Sequence, residues 1–141
     1  SDLRRQRQMC IRDRFKFDHI MRHSLQRETI KNVVCSTTCH PTADWVYNEV
    51  RKLIPNISLG TVYRNLSQLS DNSSIRTIQD GSVTRYDGNI KPHYHLKCIK
   101  CSEIIDINIH NLNLKEKIKS KFDFDPSDIE ITVIGKCNKH R

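Results

Sequence analysis

Two pairs of metal-binding side chains lie within nine residues, between His93 and Cys101. The first pair is His93 and His95, and the second is Cys98 and Cys101 in a C-x-x-C arrangement. Thiolates favour zinc in a closed tetrahedral site, whereas imidazoles also suit iron, manganese and nickel. Because residues two apart share a face of a β-strand, both histidines can point to one ion. The stretch therefore predicts two neighbouring sites with different chemistry.

A second pair with the same spacing, Cys137 and His140, supplies further ligands for the cysteine site. With Cys98 and Cys101 it offers three thiolates and one imidazole, which complete a tetrahedral zinc site without an open position. Such a site stabilises a fold and does not catalyse a reaction. No secretion signal is visible, so metal binding is favoured over disulfides. The alternatives are free thiols and a frayed, non-ligating His140.

The histidine pair needs further ligands, and three residues elsewhere in the chain are candidates. His40 precedes the second predicted helix, Asp87 ends a predicted hairpin, and Asp106 lies on the strand after the cysteine pair. From the pattern alone, each of these three residues could be a metal ligand or an ordinary surface or core residue.

The elements that position these ligands must fit within 141 residues, which allow one domain or two small ones. Aromatic residues make up only 6% of the chain, so two small cores are easier to build than one large core. Small cores often need a metal as a staple. No apolar run is long enough to span a membrane and no signal peptide is visible, so we expect a cytoplasmic protein without membrane contact. The net charge of +8 mildly favours a polyanionic partner.

Residues 1–14 carry five Arg and two Asp without an apolar period. They could form a basic arm for DNA, but they resemble translated adapter sequence more than a native terminus. We expect a non-native or disordered segment and exclude it from the fold prediction.

Three helices and a β-hairpin are predicted over residues 15–87. Apolar spacing indicates helices over 15–36, with Ser24 as a plausible N-cap, and over 42–53, ending before Pro55. The apolar faces expected to point inward are Leu25, Ile30, Val33 and Val34 in the first helix and Trp45, Val46, Val50 and Leu53 in the second. Strands 75–79 and 83–86 flank Asp80-Gly81, a strong hairpin signal.

The third helix begins after a capping Ser58 and points Val62, Leu66 and Leu69 inward. Its outward residues form hydrogen bonds, unlike the Glu and Lys mixture of an ordinary surface helix. This order of elements is typical of a winged helix-turn-helix, whose third helix reads the major groove of DNA. The candidate DNA contacts are Ser58, Thr61, Tyr63, Arg64 and Asn65. The alternative is a small α+β domain in which this helix only packs.

The second half of the chain reads as a β-α-β unit after a hinge-like linker at 88–92. It consists of a strand at 103–109, a helix at 112–122 and a strand at 129–135 that leads to Cys137. The predicted class is α+β: an N-terminal winged helix-turn-helix domain followed by a small α/β domain with structural zinc.

Four motifs together resemble the ferric uptake regulator (Fur) family over residues 20–141. They are HPTADWVY at 40–47, ISLGTVYRNL at 57–66, RYDGN at 85–89, and the H-x-H-x-x-C-x-x-C stretch at 93–101. Within the family the chain looks most like the peroxide-sensing repressors (PerR).

The resemblance implies a transcriptional repressor that binds a palindromic double-stranded DNA operator as a homodimer. Its domains would be the winged helix at 15–87, the hinge at 88–92 and a dimerisation and metal-binding domain at 93–141. It also implies structural Zn²⁺ on the cysteine site and regulatory Fe²⁺ or Mn²⁺, which suit nitrogen and carboxylate ligands. The regulatory ligands carried over are His40, Asp87, His93, His95 and Asp106. Peroxide would add oxygen to His40 or His93, release the metal and free the DNA.

The sequence departs from the family pattern in four places. His140 stands where a fourth cysteine is usual, Ser102 where a glycine is usual, and Gly60 where alanine is common. The N-terminal helix of the family is missing or replaced by residues 1–14.

Other functions stay open within and outside the family. An iron- or zinc-uptake regulator is the nearest alternative, but Pro92 and Tyr94 are not the extra ligands of some iron-uptake members, which also tend to have Glu in place of Asp106. From another class, a zinc-stapled interaction module would lack DNA binding. A zinc hydrolase or deaminase needs an open zinc position and a general-base Glu, and Glu103 adjoins only the closed cysteine site. We therefore expect no enzyme.

Overall fold

The chain divides into two units, residues 1–90 and residues 91–141. The first is mainly helical, and the second combines a small sheet with a short α-helix. The computed structural model describes residues 2–109 and 113–141, and it describes side chains from Lys16 onward except that of Phe17. The first unit contains α1 (Asp2–Cys35), α2 (Ala43–Leu53), α3 (Leu59–Asp71), β1 (Arg76–Asp80) and β2 (Val83–Asp87). The second contains β3 (Tyr94–Cys98), β4 (Ile104–Ile107), α4 (Leu114–Lys121), β5 (Thr132–Gly135) and a 3₁₀ turn (Asn138–His140). The α+β class is confirmed, and the boundary between the units falls inside the predicted hinge.

Helix α1 is longer than its apolar pattern indicated. It begins at Asp2, so the segment expected to be non-native or disordered has a helical backbone, and Ser24 lies inside the helix instead of capping it. Among the described side chains of α1, the buried ones are Ile30 and Val34 in the last turns, while Leu25 is exposed. The N-terminal part of α1 extends beyond the core, and its sequence contains the good helix formers Arg, Gln and Leu.

One apolar cluster holds the first unit together, with contributions from all three helices and the hairpin. Thr42 caps α2 by accepting a hydrogen bond from the Trp45 amide, as expected for an N-cap threonine. Trp45 and Leu53, predicted to face inward, are exposed. The cluster comprises Ile30, Val34, Ala43, Val46, Val50, Ile57, Val62, Leu66, Leu69, Ile75 and Tyr86.

Helix α3 and the hairpin follow the sequence prediction closely. The Ser58 side chain accepts a hydrogen bond from the Thr61 amide and caps α3, and Val62, Leu66 and Leu69 are buried. Strands β1 and β2 pair antiparallel, with Ile78 opposite Arg85. Gly81 in the turn has φ +63, a left-handed conformation that glycine adopts without steric penalty. We call this hairpin the wing.

The second unit is a three-stranded sheet in the order β4-β3-β5, with β3 antiparallel to β4 and parallel to β5. Strand β5 starts at Thr132, three residues later than predicted, and the predicted helix start at Leu112 lies outside the described residues. Among the described residues of this unit, only Cys98 and Ile104 are buried apolar side chains. The unit therefore has little hydrophobic core of its own. No helix among the described residues has the length and apolar character to cross a membrane.

Candidate metal centres and DNA-reading helix

The four predicted zinc ligands lie together in the second unit. One ligand atom each from Cys98, Cys101, Cys137 and His140 falls within 4.8 Å of the others. Cys101 Sγ is 3.8 Å from Cys137 Sγ, and His140 Nδ1 is 3.0 Å from Cys137 Sγ and 3.9 Å from Cys98 Sγ. Two sulfurs bound tetrahedrally at about 2.3 Å from zinc are about 3.8 Å apart. The sulfur separation therefore fits a tetrahedral ion, and His140 stands within reach as its fourth ligand.

Backbone geometry makes Cys98 ready to act as a thiolate. Amide groups of Cys101 and Cys137 donate toward its sulfur and lower the pKa of Cys98 to about 5. For Cys101 the Glu103 backbone favours the thiolate, but burial and hydrogen bonds with Cys98 and Cys137 outweigh it, so the pKa of Cys101 is raised. Once one thiolate has formed, the neighbouring thiol resists ionisation. A divalent cation reduces this conflict, because its two positive charges offset most of the charge of three neighbouring thiolates.

The loop after the cysteine pair contains a strained residue. Ser102 has φ +59, and its amide donates to the Cys98 carbonyl at 2.9 Å to close the turn. Left-handed backbone costs a residue with a Cβ atom about 1 kcal/mol, a cost that glycine avoids. Ser102 thus occupies a position whose geometry suits glycine.

His93, His95 and Asp106 form a compact triad: His93 directly precedes β3, His95 lies on β3 and Asp106 on β4. His95 and Asp106 are register partners, which places their side chains on one face of the sheet. The distances between ligand atoms are 3.0 Å from His93 Nε2 to His95 Nε2, and 3.3 and 3.2 Å from these nitrogens to Asp106 Oδ1. Ligand atoms at about 2.1 Å from a metal and at right angles to one another are about 3.0 Å apart. The triad has the spacing of one triangular face of an octahedral site.

The His93 imidazole is oriented by the backbone. Its Nδ1 lies 2.6 Å from the Lys91 carbonyl oxygen, the arrangement of an Nδ1–H donor, and its Nε2 faces His95 and Asp106. His93 is buried, and His95 and Asp106 are half-buried. Two histidines and one carboxylate on one face are the ligand set of non-haem Fe²⁺ sites, with the opposite positions open.

The first unit brings His40 and Asp87 together. His40 lies in the loop between α1 and α2 and Asp87 at the end of β2, and both are buried. The distance from His40 Nε2 to Asp87 Oδ2 is 3.8 Å. His40 has φ +51, so its backbone is in the left-handed region that residues other than glycine rarely adopt. A buried imidazole and carboxylate in a strained loop are a reasonable metal-binding pair.

Gly88 allows the chain after Asp87 to pass close to α1. A Cβ atom at this position would lie 2.6 Å from the Cys35 Cα atom, which is much closer than two carbon atoms can approach. Glycine is thus required for this close approach. The contact fixes the position of Asp87, the last residue of β2.

Four of the five predicted DNA contacts are accessible on α3 and its cap. Ser58, Tyr63 and Arg64 are exposed and Thr61 is half-buried. Arg64 Nη2 donates to Thr61 Oγ1 at 3.2 Å, and Thr61 Oγ1 lies 2.9 Å from Ser58 Oγ. These polar groups form one connected surface at the start of α3.

Asn65 corrects the fifth assignment, because its side chain is 5% exposed. Its amide nitrogen donates to the Thr61 carbonyl, and its oxygen accepts from Arg27 of α1 at 3.4 Å. Arg27 also donates to Gln68. Asn65 therefore joins α1 to α3 inside the first unit. The sequence prediction missed Arg27, since nothing in the local pattern indicates a contact across 38 residues.

Comparison with known proteins places these features in one family. The profile of the ferric uptake regulator family matches residues 18–134. The peroxide-responsive repressor PerR of Staphylococcus epidermidis is 34% identical over 116 residues, which cover 81% of this chain and 77% of that protein.

Solved structures with the same fold include the Campylobacter jejuni peroxide stress regulator, with a TM-score of 0.78 and 26% identity over 89% of this chain and 96% of that one. The Helicobacter pylori ferric uptake regulator, described as having three functional metal binding sites, has a TM-score of 0.76 and 21% identity over 90% of each chain. The chain therefore belongs to the ferric uptake regulator family of metal-responsive regulators.

Proposed function

We propose that this chain is a DNA-binding transcriptional repressor that senses peroxide through a regulatory Fe²⁺ or Mn²⁺ site. The observation that carries the proposal is the right-angle spacing of His93 Nε2, His95 Nε2 and Asp106 Oδ1. Such a face leaves three octahedral positions to be filled. We propose that His40 and Asp87 take two of them, which leaves one position for peroxide. The likeness to peroxide-responsive relatives supports this ligand set.

The structural metal in this proposal is Zn²⁺ on Cys98, Cys101, Cys137 and His140. The support is the tetrahedral sulfur spacing together with the small core of the second unit. Where so few apolar side chains are buried, metal binding supplies folding free energy directly. Exposed apolar residues on the strands, among them Leu96, Ile105 and Val133, are available for a homodimer interface.

Regulation follows from ligands contributed by both units. Binding one ion with His40 and Asp87 on one side of the hinge and the triad on the other would favour one arrangement of the two units. In a homodimer this arrangement sets the spacing of two α3 helices on a palindromic operator. Ser58, Thr61, Tyr63 and Arg64 are the proposed contacts, with the Arg64 guanidinium suited to a guanine edge.

Peroxide would act on the ligands themselves. A bound Fe²⁺ would supply the one-electron chemistry that cleaves the O–O bond of H₂O₂, whereas Mn²⁺ does not readily do so. Overall, one peroxide oxygen would be transferred to an imidazole, which is oxidised by two electrons, and the other would leave as water. His40 and His93 are the imidazoles proposed to gain oxygen. An oxidised imidazole is a poorer ligand, so the two units lose their shared constraint and the α3 helices lose their operator spacing.

The proposal is tested with DNA selected by the protein itself. A random duplex pool is enriched on Mn²⁺-loaded protein, and the selected site is then used in gel shifts with and without Mn²⁺. His95→Ala should remove the metal-dependent gain in affinity because it breaks the triad. The matched control is His19→Ala/His23→Ala, which removes two exposed imidazoles in α1 that lie 2.9 Å apart and could bind metal independently. Metal-independent binding by the wild-type protein, or an effect of the control equal to that of His95→Ala, would reject the proposal.

A further inference from the structure

Arg85 connects two parts of the first unit that are far apart in sequence. From its position on β2, its Nε donates to Asp80 Oδ2 at 2.7 Å and its Nη1 donates to the His40 carbonyl oxygen at 3.2 Å. Its side chain is 22% exposed and that of Asp80 10%, so water screens this ion pair only partly. One guanidinium thus joins the end of β1, at the wing turn, to the backbone of a metal-ligand candidate.

The backbone continues the same seam. The Tyr86 amide donates to the Pro41 carbonyl at 2.9 Å, and Thr42 forms an isolated antiparallel bridge with Arg85. Consecutive carbonyls of the loop before α2 therefore accept hydrogen bonds from consecutive residues of β2. Strand β2 therefore holds this loop in place, and the same strand ends at Asp87.

His40 needs this support because of its conformation. A non-glycine residue at φ +51 carries strain on the order of 1 kcal/mol, and such a conformation persists only where its surroundings hold it. Arg85 holds the carbonyl of the same residue whose imidazole lies 3.8 Å from Asp87. The backbone of His40 is therefore linked to the wing through the side chain of Arg85.

We propose that Arg85 is a positioning residue that couples metal binding at His40 and Asp87 to the position of the wing on DNA. The inference rests on the proposed function, since it takes His40 as a ligand and the wing as a DNA-contacting element. Arginine is required because two different nitrogen atoms reach two acceptors, and a lysine ammonium cannot span both. These half-buried contacts then make the order of the wing depend on whether His40 and Asp87 hold a metal.

A simpler role for Arg85 would be a phosphate contact, and the two roles give different results. If Arg85 contacted a phosphate, Arg85→Lys would keep the positive charge and therefore the salt dependence of DNA binding. Any loss of DNA affinity would then be equal in the metal-free and the metal-loaded protein. A lost coupling lowers only the gain in DNA affinity that metal produces. By linkage, it also lowers the gain in metal affinity that DNA produces by the same factor.

The test compares Arg85→Lys with Arg51→Lys in the full chain. Arg51 is an exposed α2 residue whose guanidinium lies 5.4 Å from the Tyr47 ring centre, so the control makes the same chemical change away from the seam. The probe is the DNA duplex selected by the wild-type protein, and the metal is Mn²⁺. Arg85→Lys should reduce the metal-dependent gain in DNA affinity about tenfold, because it loses a charge-assisted hydrogen bond, whereas Arg51→Lys should leave it unchanged.

Hydrogen exchange on the metal-free protein tests the seam without DNA. The Tyr86 amide should exchange faster in Arg85→Lys than in Arg51→Lys, since its acceptor loop is held less firmly. An unchanged Tyr86 amide, or an equal loss of DNA affinity with and without Mn²⁺, would overturn the role of Arg85. If the wild-type protein shows no metal-dependent DNA binding, the proposed function fails instead, and the exchange result still reports on the seam.

Discussion

Gly88→Ala is expected to weaken both the first unit and its metal pair, because the added Cβ meets backbone. That atom would lie 2.6 Å from Cys35 Cα, 3.0 Å from its Sγ and 3.2 Å from its amide nitrogen. Carbon atoms in contact are separated by about 3.5–4.0 Å, so the end of β2 must move by about 1 Å. Overpacking of this size costs about 1–3 kcal/mol in the free energy of unfolding.

The same movement displaces Asp87 relative to His40, since Gly88 follows Asp87 directly. Metal-ligand geometry tolerates displacements of only about 0.5 Å, so we expect at least about a tenfold loss of Mn²⁺ affinity. Replacing Cys35 with alanine as well should not restore either property, because the nearest atom is the Cα that remains.

The assay uses Trp45, the one tryptophan of the sequence, which lies on α2 and reports on unfolding of the first unit by its fluorescence in urea. The control is Gly60→Ala, whose nearest neighbour would be Ser58 Oγ at 4.0 Å, so it should leave the transition unchanged or raise its midpoint slightly. If Gly88→Ala unfolds at the wild-type urea concentration and binds Mn²⁺ as tightly, the close approach of β2 to α1 does not position Asp87.

Three further predictions concern the cysteine site and helix α3. Ser102→Gly should raise the free energy of unfolding by about 0.5–1 kcal/mol in a thermal melt, because the residue has φ +59; a lower melting temperature would contradict this. Cys137→Ser should lose bound zinc and with it the folded second unit, measured by elemental analysis and circular dichroism, whereas His140→Ala should weaken zinc less; a Cys137→Ser variant that keeps both zinc and fold would exclude the site. Arg64→Ala should cost about 1–3 kcal/mol of affinity for the selected duplex and little for random DNA in fluorescence anisotropy; equal losses would make Arg64 a phosphate contact.

Local sequence signals predicted the elements whose ends are encoded by their own residues. Ser58 caps α3 through its side chain, and Asp80-Gly81 forms the wing turn, because each needs only neighbours in the sequence. The H-x-H and C-x-x-C pairs likewise indicated ligand sets before any fold was known. These features depend on spacing along a strand or loop, which a sequence displays directly.

Features that depend on partners far along the chain were missed or misjudged. Ser24 has the chemistry of a cap, but helix α1 continues on both sides of it. Asn65 has the chemistry of a DNA contact, but Arg27 and the Thr61 carbonyl use its hydrogen-bonding groups inside the unit. Cys35 has the chemistry of a small buried helix residue, but it is exposed, and Gly88 packs against its backbone. In each case a tertiary contact decides among roles that the residue type allows equally.

Oxidation of the proposed ligands by peroxide tests the central claim most directly. Trypsin releases His40 in the peptide 32–51 and His93 with His95 in the peptide 86–97, since the Lys91–Pro92 bond resists cleavage. The first peptide also contains Cys35, Cys39 and Trp45, so fragment ions must locate any added oxygen.

The decisive measurement is tandem mass spectrometry of these two peptides after brief H₂O₂ treatment of the Fe²⁺ and Mn²⁺ forms. We predict addition of one oxygen atom to His40 or His93 in the Fe²⁺ form alone, in proportion to the loss of DNA binding. Oxidation of Cys98, Cys101 and Cys137 with both histidines intact would instead indicate a thiol switch or a metal-uptake regulator, and it would contradict peroxide sensing at the regulatory site.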